Sequence, residues 1–114
     1  MFDSVTSVAM KSALDALSLR QRVIADNIAN VNTPGFLAGR VQFEDALANA
    51  VRSGREVGVE ASIDRSLEPT RENGNNVNLD TETLANIDAN LRYQVATRSI
   101  DGGFTAIRTA IRSA

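Results

Sequence analysis

The chain contains no cysteine, no histidine and no tryptophan, and its aromatic residues are four Phe and one Tyr. Without cysteine there are no disulfides, thiolate metal sites or thiol nucleophiles. Without histidine the usual general base and the commonest metal ligand are missing. The carboxylates do not form an obvious pair. Glu44 and Asp45 are sequence neighbours, and Glu56, Glu60 and Asp64 share a face only if their soft surroundings are helical. Gly54 and Gly58 stand among charges, outside the strand-to-helix setting of a phosphate-binding loop. No catalytic residue, metal, cofactor or small-molecule substrate is expected from this set.

Net charge is only −2, with both signs interspersed, which speaks against binding nucleic acid by neutralising phosphates. No apolar run approaches the roughly 20 residues that span a bilayer, so no direct membrane span is expected. Asp3, Lys11 and Asp15 interrupt any apolar stretch near the N-terminus, and a cleavable signal is not expected there. At 114 residues the chain is one domain at most, with few large side chains for a core.

What is present is helical periodicity at both ends. Met10, Leu14, Leu17, Gln21, Ile24, Ile28 and Val31 alternate steps of four and three, an a/d seam with one polar occupant. Asp3 or Ser4 suits the N-cap. A second stripe begins as Leu84, Ile87, Leu91 and Val95 and resumes as Ile100, Phe104, Ile107 and Ile111. Its acidic start (Asp80, Glu82) and basic end (Arg108, Arg112) offset the helix macrodipole. Gly102-Gly103 interrupts it, at about 2 kcal/mol relative to two alanines. The pair either separates two helices or is tolerated within one.

Between the stripes, Phe43, Leu47, Ala50 and Val51 suit one face of a short helix after Arg40. From Ser53 to Asn78 the chain is rich in Gly, Ser, Arg, Glu and Asn, which predicts a mobile loop or a segment ordered only by neighbours. Alternation over Val57, Val59, Ala61 and Ile63 hints at one short strand without a visible partner. Glu72-Asn73-Gly74-Asn75-Asn76 reads as a turn cluster. The expected fold is all-α, with long N- and C-terminal helices pairing as a coiled-coil-like hairpin around that irregular middle. Residues 1–36, 37–78 and 79–114 form its three parts within one assembly domain.

The most informative stretch closes the first stripe. Asn27, Asn30 and Asn32 fall within six residues and lead into Thr33-Pro34-Gly35-Phe36. Asparagine is a poor interior helix residue, so three together suggest side chains needed for specific hydrogen bonds. Pro34 stops the helix and, with Gly35 behind it, predicts a type II turn in which Gly35 takes positive φ. Gly54, in the soft segment, carries no such expectation.

This string resembles the signature of the bacterial flagellar axial proteins, the rod, hook and hook-associated subunits. The resemblance extends to Met1-Phe2-Asp3-Ser4-Val5, Leu17-Ser18-Leu19-Arg20-Gln21, Val41 to Leu47, and Asn90 to Gln94 onward to Arg112, and these are most similar to the proximal rod proteins. It implies a structural subunit of the basal body that polymerises through its terminal helices, joins the membrane ring to the distal rod and passes on torque. Its partners would be other rod subunits, the rod-to-ring junction and the flagellar export apparatus. Its place would be the periplasmic rod. The interface residues so implied are Leu14, Leu17, Ile24, Asn27, Ile28, Asn30, Val31, Thr33, Pro34, Gly35, Phe36, Leu84, Ile87, Leu91, Ile100, Phe104, Ile107 and Ile111. A soluble helical-hairpin adaptor or export chaperone is the alternative, because two seams that one chain cannot bury suit either role.

Overall fold

A computed structural model describes the backbone from Phe2 to Ser113 except residues 55–57, and side chains at 7–54 and 58–100. Helix α1 (Phe2–Ala29) is followed by strand β1 (Gly39–Gln42), helix α2 (Glu44–Arg52), strand β2 (Ser62–Arg65) and helix α3 (Leu79–Ser113). The described chain is elongated, 67 × 26 × 14 Å along its principal axes. Helix α1 already begins at Phe2, so Asp3 and Ser4 lie in its first turn rather than at its N-cap, and the seam residues Phe104, Ile107 and Ile111 lie outside the described side chains. Helix α3 runs unbroken through Gly102-Gly103.

The fold is mostly helical but not all-α. β1 and β2 form an antiparallel two-stranded sheet, with Val41 opposite Ile63 and Gly39 opposite Arg65. The strand lies later than the expected alternation, and its partner comes from the segment leading to α2. Pairing reaches back beyond the strands, where the Ser66 N–H donates to the Ala38 carbonyl at 2.8 Å. β1 lies against α1 with Val41 buried, whereas all four residues of β2 are exposed. The core joins Ala16 and Leu17 of α1 to Val41 and Phe43, with Val23, Leu47 and Ala61 packed partly against it.

β1 approaches α1 closely because Gly39 has no side chain. A Cβ there would sit 2.9 Å from Val23 Cγ1, nearer than carbon atoms pack.

α2 starts on acidic Glu44 and Asp45 and ends on Arg52, each favourable to the helix dipole. Arg20 ties it to α1 through a 2.6 Å ion pair with Glu44, a hydrogen bond to the Val41 carbonyl at 2.8 Å, and stacking 4.8 Å over the Phe43 ring. Partial burial raises the Glu44 carboxyl, but the Arg20 hydrogen bond and charge with the local backbone N–H groups outweigh it. The net result is a value lowered from 4.5. Gly54 closes the helix at φ +67°, contrary to expectation, and its N–H returns to the Val51 carbonyl at 3.1 Å.

Of the first stripe, Leu17 and Ile24 are buried, Leu14 is half-buried, and Ile28 is 38% exposed. The second stripe faces the other way from what burial within one chain requires. Leu84, Ile87, Leu91 and Val95 are 68, 51, 57 and 63% exposed. Among the described side chains of α3 the buried positions are Glu82, Ala89 and Ala96, a face of mostly small residues. Small side chains allow close helix approach, so alanine takes the internal contact and the larger residues remain outside.

Candidate assembly site

The asparagine-rich stretch forms one half of a hydrogen-bonded clasp. Helix α1 unwinds after Ala29. Asn30 folds back, its Nδ2 donating to the Asp26 carbonyl at 2.8 Å, while the Thr33 hydroxyl donates to Asn30 Oδ1 at 3.0 Å. The Phe36 N–H donates to the Thr33 carbonyl at 3.3 Å, and Gly35 takes φ +75°. That is the type II turn read from Pro34-Gly35. Asn32, Thr33, Pro34 and Gly35 form an exposed tip. Phe36 is half-buried under Arg65, whose guanidinium stacks 5.6 Å from its ring.

The other half is Asn73-Gly74-Asn75-Asn76-Val77-Asn78, with Asn75 and Val77 almost completely enclosed. Asn75 Nδ2 donates to the carbonyls of Asn30 and Thr33, both at 2.8 Å. Its Oδ1 accepts from the Val77 N–H at 2.8 Å and Arg71 Nη2 at 2.9 Å. Arg71 also donates to the carbonyls of Val31 and Val77, so its fork closes the end of α1 onto the linker. The Gly35 N–H donates to the Asn73 carbonyl at 2.8 Å. A Cβ on Gly74 (φ +82°) would lie 3.3 Å from Gly35 Cα, so the two left-handed turns touch backbone to backbone.

Two further asparagines hold the chain where β1 begins. Asn76 Oδ1 accepts the Ala38 N–H at 2.7 Å, and its Nδ2 donates to the carbonyls of Ser66 and Glu68. Asn27, 0% exposed within α1, accepts the Gly39 N–H at 2.8 Å and donates to the Gly39 carbonyl at 3.0 Å. Its remaining amide proton goes to Glu82 Oε2 at 3.0 Å. Glu82 is fully buried and pairs with Arg40 Nη1 at 2.7 Å. Arg40 Nη2 is 3.8 Å from Glu68 and has no hydrogen-bond partner among the described residues. Asn78 caps α3, its Oδ1 accepting the N–H groups of Asp80 and Thr81 at 2.9 and 3.3 Å.

The part of the expected soft segment beyond Ser66 is therefore tied down by polar side chains. Sequence reading placed Asn27, Asn30, Thr33, Pro34, Gly35 and Phe36 at an interface between subunits; within the chain they lie on or beside the clasp, a contact inside the subunit. That reading missed Arg40, Arg71, Asn75, Asn76, Asn78 and Glu82. The available signal was four asparagines within residues 73–78, denser than the three within 27–32. The described stripe residues Leu84, Ile87 and Leu91 lie along α3 beyond the clasp. Ile100, the last described side chain, is half-buried. The arrangement offers directional hydrogen bonding and exposed apolar surface, the equipment of an assembling structural subunit. Among the described residues no helix is long and apolar enough to cross a membrane.

Comparison with known proteins gives this class its name. Residues 9–36, α1 through the turn, match the family described as flagella basal body rod protein. The FlgB basal body rod protein of Borreliella burgdorferi is 31% identical, with 87% of this chain aligned to 90% of that one. FlgB of Bacillus subtilis is 29% identical over 90% of this chain and 89% of its own. FlgG of Buchnera aphidicola subsp. Schizaphis graminum is 40% identical, but only over half of this chain and 21% of FlgG. The chain belongs to the flagellar basal body rod protein FlgB family, and it is a component of the basal body rod.

Proposed function

We propose that the chain is a structural subunit of the proximal rod that polymerises through α1 and α3, connects the membrane ring to the distal rod and transmits torque. The carrying observation is the stripe of Leu84, Ile87, Leu91 and Val95, each more than half exposed. A chain in water gains roughly 1 kcal/mol or more per such residue when a neighbour covers it. In a tube the cover is heterologous, one surface meeting a different surface on the next subunit. The α1 seam, from Leu14 to Val31, and the α3 residues Ile100, Phe104, Ile107 and Ile111 extend the same contact, with the terminal helices pairing as a coiled-coil-like hairpin. The exposed Thr33-Pro34-Gly35 tip belongs to it as well. The subunit works in the periplasm, delivered by the flagellar export apparatus. Its partners are neighbouring rod subunits and the rod-to-ring junction. No chemistry is assigned to it; stiffness and register are its work.

Leu84→Asp and Leu91→Asp test this reading. A charge forced into a packed contact is penalised by several kcal/mol per subunit. Secreted but unassembled subunit and loss of motility are expected, with Glu60→Lys, at an exposed position, assembling normally. Motile cells carrying either aspartate would remove the stripe from the rod interface.

A further inference from the structure

We propose that Asn73-Gly74 is a latent deamidation site that the closed clasp guards, so that this dipeptide records time the chain spends unfolded. The reaction is attack by the Gly74 backbone nitrogen on Asn73 Cγ. It forms a five-membered succinimide and releases the side-chain nitrogen as ammonia. Water then opens the ring on either side, giving aspartate or isoaspartate at position 73. Glycine favours the attack because no side chain crowds the nucleophile.

Folding holds every participant. The Gly74 N–H donates to the Arg71 carbonyl at 2.9 Å, so the proton that must leave is engaged. Asn73 Oδ1 accepts the Asn75 N–H at 3.1 Å, which fixes the side chain as an acceptor within the turn. The Asn73 carbonyl is held at 2.8 Å by the Gly35 N–H, and Gly74 is pressed against the Gly35 backbone. Succinimide closure requires φ and ψ changes at 73–74 that this packing opposes. The reaction therefore draws on the open population, which falls with the free energy of local opening.

The two products differ in consequence. Aspartate keeps the peptide path, the carbonyl for Gly35 and an oxygen for Asn75. Isoaspartate routes the backbone through the former side chain and turns the Asn73 carbonyl into a free carboxylate. The docking point for Gly35 is then displaced, and the clasp cannot close as before. A subunit that lingers before folding loses one of the bonds between its two turns irreversibly.

The test is incubation of the purified full chain at mildly alkaline pH, in native buffer and in urea. Fragmentation of the tryptic peptide 72–92 locates the change. Conversion at Asn73 in native buffer should be slower than in urea by about tenfold or more, as protection by local structure implies. Asn75→Ala should restore a large part of the unfolded rate. After transfer from urea to native buffer, amide exchange at Gly35 should be protected in the aspartate product and lost in the isoaspartate product. Equal rates in both buffers, or a protected Gly35 amide in the isoaspartate form, would overturn the proposal. Neither measurement depends on rod assembly.

Discussion

The clasp and the outer face of α3 invert the usual distribution of polarity. At the clasp, Asn27, Asn75, Asn76 and Glu82 are buried, each with hydrogen-bond partners. Along α3, Leu84, Leu91 and Val95 stand in water. Buried polar groups are tolerated only when satisfied, and then they specify one geometry. Exposed apolar stripes are costly until covered, and they accept whatever surface fits. The contrast divides the labour: hydrogen bonds fix the shape of the subunit, and in the proposed assembly the apolar surface serves its neighbours.

Breaking the clasp should have the largest effect on the subunit itself. Glu82→Ala leaves Arg40 without its buried partner and Asn27 with a free amide proton. About 3–5 kcal/mol of stability should be lost in chemical denaturation. Adding Arg40→Leu should recover part of that loss, because the uncompensated charge is then gone.

Gly39→Ala probes the approach of β1 to α1. Its Cβ would press on Val23, a stiff β-branched side chain, at 2.9 Å. Overpacking of this kind costs about 1–3 kcal/mol, and the same denaturation experiment measures it. A neutral result would show that β1 can lift from α1 while Asn27 follows.

Gly35→Ala and Gly54→Ala should each cost about 1–2 kcal/mol, because both glycines sit at left-handed φ with open space around them. Equal thermal shifts would assign the cost to backbone strain alone. A larger shift at Gly35 would mean that its contact with Asn73 and Gly74 adds to the strain.

The stripe should give the smallest change. Leu84→Ser and Leu91→Ser should alter subunit stability by less than about 0.5 kcal/mol, as exposed substitutions do. A large loss would show that these residues already support the fold, and the division between shape and assembly would fail.

Much of this was legible in sequence. The steps of four and three found Leu17 and Ile24, and Pro34-Gly35 gave the turn with its positive φ. The α3 stripe was visible as a stripe, but its direction was not. Periodicity reports that one side is apolar without saying whether the chain's own core or a neighbour lies there. Ala89 and Ala96 decide that question, and alanine leaves little trace in an apolar pattern. One strand of the sheet was hinted, but its pairing was missed. The alternation ending at Ile63 hinted at β2 but not at its span, because Ser62–Arg65 is exposed on every residue, and nothing in it pointed to a partner. Its partner Gly39–Gln42 is recognisable only through Asn27 and Val23, which are distant in sequence. The second half of the clasp was hidden because asparagine-rich segments ordinarily read as solvated turns.

The Asn27–Glu82 bond joins residues 55 positions apart, and Asn75 meets Asn30 across 45. Contacts of such separation must meet the entropy of closing a long loop before they return anything. A chain threaded through a narrow channel, from either end, therefore cannot latch its two helices until both halves have emerged. Closure of the latch therefore waits on the whole stretch from Asn27 to Glu82 being free at once.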